Sequence, residues 1–80
     1  MKWCGWTVTK TLKDDTFDGE TCYVTRHIRL HKNLTGRVEL ETLLHEADHA
    51  LHPDKSEEAV LVDAAHLTDL LTLYGYRKIK

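Results

Sequence analysis

The sequence predicts an α+β domain, with a small, mainly antiparallel sheet of about three strands followed by two helices. Three observations predict it. Residues 6–12 alternate between apolar and polar side chains, the period of a half-buried strand. From residue 35 onward the apolar residues recur at three- and four-residue spacing, the period of a helix. The only proline, Pro53, divides that helical half in two. Strand segments that precede helical ones, rather than alternating with them, give α+β.

In the first strand, Trp6, Val8 and Leu12 fall on one face, and Thr7, Thr9 and Thr11 on the other. Threonine and aromatic residues suit a pleated surface. Asp14-Asp15-Thr16 with Phe17-Asp18-Gly19 is a turn cluster. A second extended region runs from Glu20 to Leu30, with Cys22 and Val24 on one face and a hairpin turn expected at Thr25-Arg26. Ile28 and Leu30 then share the inner face of the returning strand, while His27, Arg29 and His31 point away. The segment from His27 to His31 is the expected exposed edge, where an extended peptide could add as a further strand. Asn33-Leu34-Thr35-Gly36 ends the sheet region, residues 1–34.

Thr35 is a suitable N-cap for a helix from Gly36 to Leu51. Pro53 stops it, because the residue before a proline is pushed out of the helical region. Ser56 caps the second helix, with Glu57 and Glu58 in its favourable first turn. This helix runs to about residue 74, where Gly75 is a natural left-handed stop. Its inward side should carry Val60, Ala64, Leu67, Leu71 and Tyr74.

Composition limits the function. Eighty residues make one small domain with a thin core, and such domains often add a metal, a disulfide or a partner. Cys4 and Cys22 form no CxxC pair and are expected as reduced thiols, with a single bridge between them as the alternative. The net charge of −2 argues against nucleic-acid binding. MKWCGWTVTK lacks the apolar region of a signal peptide, and no apolar run approaches membrane-spanning length. The expectation is a soluble cytoplasmic protein. Oligomeric state is not encoded legibly; Trp3 and Trp6 could form a self-association patch, although core packing suits Trp6 better.

Histidine is the outlier. There are six, and three of them lie in the stretch LLHEADHALHP. His45 and His49 are four residues apart, hence only about 40° apart around a helix and about 6 Å along it. Both rings can aim at one point, as two imidazoles sharing a tetrahedral Zn²⁺ must. Glu46, about 100° round from His45, can sit beside the metal without being a ligand. This is the mechanics of HExxH, whose glutamate is a general base. Leu40, Leu43, Leu44, Ala47, Ala50 and Leu51 form an apolar arc nearly opposite the histidine edge.

A catalytic zinc normally takes three protein ligands. Helical phase puts Glu57 nearest the inward edge of the second helix and turns Glu58 about 100° further out. Glu57 is therefore favoured, Glu58 stays open, and His52 and Asp63 are the remaining candidates. The oxyanion donor could be His52, His66, Tyr74 or Tyr76.

The segment LETLLHEADHALHP followed by SEEAVLVDAAHLTDLLTLYGYRK, Leu40 to Arg77, resembles the short phage-type HExxH zincins. These are related in plan to minimal gluzincins and, more distantly, to ImmA/IrrE-like peptidases. The resemblance implies a zincin-like metallopeptidase domain in a phage or bacterial cytoplasm. It implies Zn²⁺ on His45, His49 and one of Glu57 or Glu58, with Glu46 as the base and a peptide or protein as substrate. Asp48 is an uncommon charge within the motif, and the chain lacks the insertions that shape the cleft of larger zincins. The alternative is a zinc-stabilised zincin-fold module that binds or regulates a partner without peptidase activity.

Overall fold

The computed structural model describes residues 1–76, so the Arg77 end of the segment compared above lies outside the described residues. The chain opens with a hairpin rather than a single strand. β1 (Lys2–Trp3) pairs antiparallel with β2 (Trp6–Leu12), Trp3 opposite Trp6. Cys4 and Gly5 between them have φ of 49° and 82°. Positive φ at both central residues defines the mirror-image turn whose twist suits a hairpin. That turn is normally signalled by Asn-Gly or Asp-Gly, and Cys-Gly conceals it.

β3 (Gly19–Cys22) and β4 (His27–His31) form a second antiparallel hairpin, with Cys22 opposite His27. Its loop spans 23–26, so the turn falls where it was expected. Val24 lies in that loop, 94 % exposed, and does not share a strand face with Cys22.

The sheet order is β1-β2-β4-β3, and β4 runs parallel to β2. A four-stranded mixed sheet thus replaces the expected three antiparallel strands, and the α+β class holds. The 13–18 loop carries the chain past the strand position that β4 later fills. His31 N–H donates to Asp18 O at 2.7 Å, and Lys32 N–H to Leu12 O at 3.0 Å, fastening that loop over the end of β4. β4 is therefore interior, and the edge strands are β1 and β3, not His27–His31.

Trp6, Val8, Leu12, Ile28 and Leu30 are buried, as their alternation implies, and Leu34, Leu43 and Ala50 pack against the cluster of Trp6, Val8, Ile28 and Leu30. Lys10, in phase with Val8 and Leu12, reaches across to pair with Glu39 at 3.0 Å. His31 departs from expectation because it is buried. A register shift between Thr9 and Leu12 sets it opposite Leu12, beneath the loop. Its Nδ1 accepts from Asn33 N–H at 3.1 Å, which leaves Nε2–H to donate to Asp15 Oδ1 at 2.8 Å.

The helices are α1 (Gly36–Leu51) and α2 (Glu57–Tyr74). Thr35 has the extended backbone of an N-cap, although its side chain makes no capping bond. Ser56 Oγ accepts from Ala59 N–H at 3.1 Å. Gly75, at φ 97°, closes α2 through bonds to the Leu71 and Thr72 carbonyls. The buried stripe of α2 is Val60, Ala64 and Thr68, with Leu71 half-buried. Leu67 and Tyr74 are exposed instead. α2 packs chiefly on α1, so only one narrow side of it is covered. Thr68 tolerates full burial because its hydroxyl donates to Ala64 O at 2.7 Å.

The β1–β2 turn generates a test. Cys4 is exposed and holds a left-handed conformation that Asn tolerates better. Cys4→Asn should raise unfolding free energy by about 0.5 kcal/mol in urea titration. Destabilisation would contradict this account of the turn.

Candidate metal centre

α1 lies between the β3–β4 side of the sheet and α2. Leu43 and Ala50 face the core, which directs His45 and His49 toward the start of α2. Leu51, at the end of the expected apolar arc, is exposed. The two histidine side chains are mostly buried, at 16 % and 18 % exposure. Their Nε2 atoms stand 3.2 Å apart. Two donors bound tetrahedrally at zinc–nitrogen distance would be separated by about 3.3 Å.

Glu57, the first residue of α2, meets both rings. Oε1 is 2.8 Å from His45 Nε2 and Oε2 is 2.7 Å from His49 Nε2. The donor atoms of His45, His49 and Glu57 all lie within 4.8 Å of one another. Two imidazole nitrogens and one carboxylate in this spacing are a donor set that fits Zn²⁺. Glu57 is the open side of the group, 63 % exposed.

The other third-ligand candidates lie elsewhere. Glu58 lines a separate shallow depression with Ser56, Val62 and Asp63. His52 Nδ1 bonds Asp48 Oδ1 at 2.9 Å, and Asp63 pairs with Lys55. Asp48, the departure inside the motif, has a structural task. Its Oδ2 takes Lys55 Nζ at 2.7 Å, so one carboxylate of α1 and one of α2 grip the lysine of the connecting turn. Burial works to raise the Asp48 pKa, and the bonds from Lys55 and His52 outweigh it, leaving the group below its ordinary value.

Glu46 is buried beside the histidines without joining their cluster. Thr21 of β3 donates its hydroxyl to Glu46 Oε1 at 2.7 Å, a contact that leaves Oε2 uncommitted to Thr21. Gly19 permits this approach of α1 to β3. A Cβ there would stand 2.9 Å from Thr42 Cγ2 and 3.1 Å from Glu46 Cγ.

Sequence reasoning missed Gly19, Thr21 and Tyr23. Tyr23 donates to the His49 carbonyl at 2.9 Å and sets its ring edge-on to Trp6, centroids 5.8 Å apart. Burial, followed by the Glu46 and Glu57 carboxylates, holds its phenol above the ordinary value. A strand pairing that sets β3 beside α1 is needed to find these residues, and no local motif encodes it. None of the four expected oxyanion donors is brought to the cluster. His52 is held by Asp48, His66 is exposed on α2, and Tyr74 and Tyr76 stack on each other at the far end of α2.

Comparison of the chain with protein-family models, curated proteins and solved structures finds no match. The site's geometry therefore carries the functional reading.

The clamp on Lys55 should show in acid. A carboxylate with a depressed folded pKa contributes stability above its unfolded value, near pH 4, and loses it as pH falls through the folded value. Wild type should lose stability between about pH 5 and pH 3 more steeply than Asp48→Asn. Parallel curves in denaturant titrations across that range would contradict the clamp.

Proposed function

We propose that the protein is a zinc-dependent peptide hydrolase, with His45, His49 and Glu57 holding the metal and Glu46 acting as general base. The observation that carries this reading is the convergence of both Nε2 atoms on the two oxygens of Glu57. When bound, zinc supplies Lewis acidity that activates water and polarises a carbonyl. The chain's own residues do the rest. Thr21 binds Oε1 of Glu46, so Oε2 is the atom available to take a proton from water and return it to the leaving amine. Burial of Glu46 against β3 limits its rotamers and holds that oxygen in position.

The reading includes a peptide or protein substrate and a reducing, cytoplasmic setting, consistent with Cys4 and Cys22 both being free. No helix among the described residues is long and apolar enough to cross a membrane. The phage-type kinship suggested by the motif belongs to the same proposal.

One observation favours a second reading. α2 is joined to the domain through a narrow buried ridge, and a metal bridging α1 to Glu57 would add stability there. Zinc would then serve a binding module rather than a catalyst.

Two experiments decide. Elemental analysis should find one zinc per chain, lost in His45→Ala and Glu57→Gln but retained in Glu58→Gln; equal retention in both glutamate variants would sink the ligand assignment. Peptide-library cleavage by zinc-loaded protein should fall about 100- to 10,000-fold in Glu46→Gln, with zinc content and melting temperature held. A wild type that cleaves nothing yet unfolds on chelation supports the binding module.

A further inference from the structure

A cleft of about 450 Å³ opens beside His45 and Glu46, between the 16–19 segment, the first half of α1 and Leu61 of α2. Phe17, Val38 and Leu61 line it, and each is about half exposed, so among the described residues its three apolar walls stay partly open to solvent. The charges are unequal. Arg37 is committed to Asp69 of α2. Glu41 is half-buried, and among the described residues no cation pairs with it or with Asp18, which also lines the cleft. Glu41 precedes His45 by four residues, so it sits on the same edge of α1 about 6 Å toward the N-terminus.

We propose that this cleft receives a lysine or arginine side chain of a peptide substrate, its methylene stem against Phe17, Val38 and Leu61 and its charge at Glu41. The inference rests on the metal reading above and adds the class of residue recognised. Long basic side chains are the ones that combine an apolar stem with a charged head. A neutral aliphatic side chain would satisfy the walls but leave Glu41 uncompensated. An acidic one would oppose both Glu41 and Asp18.

The test uses zinc-loaded full-length protein and four metal-chelating probes read by calorimetry. These are acetohydroxamate and the hydroxamates of N-acetyl-lysine, N-acetyl-norleucine and N-acetyl-glutamate. The lysine compound should bind about fivefold tighter than norleucine, norleucine tighter than acetohydroxamate, and glutamate weakest of the three amino-acid probes. In Glu41→Gln the lysine-to-norleucine ratio should fall to about one, and raised salt should shrink it in wild type. If acetohydroxamate binds but lysine gains nothing over norleucine, or Glu41→Gln keeps the gain, the pocket assignment is overturned and the metal reading stands. If acetohydroxamate itself fails to bind and no zinc is present, the metal reading fails and the pocket falls with it.

Discussion

The turn between α1 and α2 is the constraint on which the rest of the site depends. Pro53 ends α1 soon after His49, and Ser56 starts α2 one residue before Glu57. Within so short a connection, a carboxylate from the second helix must return close to the histidines of the first. Lys55 makes that return definite, because Asp48 and Asp63 hold it from both sides. The Glu57 pairs with His45 and His49 add to the clamp in setting the first turn of α2 against α1. At the other end of the pair, Arg37 and Asp69 repeat the device.

The second organising contact is the one between α1 and the edge strand. Gly19 lets the helix approach, Thr21 meets Glu46, and Tyr23 reaches the His49 carbonyl. Three consecutive odd positions of β3 and its loop thus face the motif helix. One face of this edge strand thus becomes the wall that orients the proposed base. The proposed basic-side-chain cleft begins where this wall meets the 16–18 segment, so base and specificity pocket share one boundary.

A small domain explains the economy of this arrangement. The core is a handful of residues, Trp6, Val8, Leu12, Ile28 and Leu30 from the sheet and Val60 and Ala64 from α2. Polar residues therefore take structural duties that larger folds assign to apolar layers. His31 bridges Asp15 and Asn33, Lys10 meets Glu39, and Thr68 bonds its own helix. Much of the surface of α2, including Leu70 and Leu73, remains apolar and exposed.

Much of this was legible in the chain. Helix limits follow from Thr35, Pro53, Ser56 and Gly75 because caps and stops act within a few residues. The convergence of His45 with His49 follows from helical pitch alone, and the preference for Glu57 over Glu58 from phase. Sheet topology was not legible, because placing β4 between β2 and β3 depends on contacts far apart in sequence. The hidden β1 hairpin and the burial of His31 were lost for related reasons, an atypical turn residue and a register shift. Local sequence thus determined the elements and the histidine pair, whose geometry is set by neighbours on one backbone. Only tertiary structure decided which strand borders the site, what holds Glu46, and why Asp48 stands in the motif, since those answers depend on where separate elements pack.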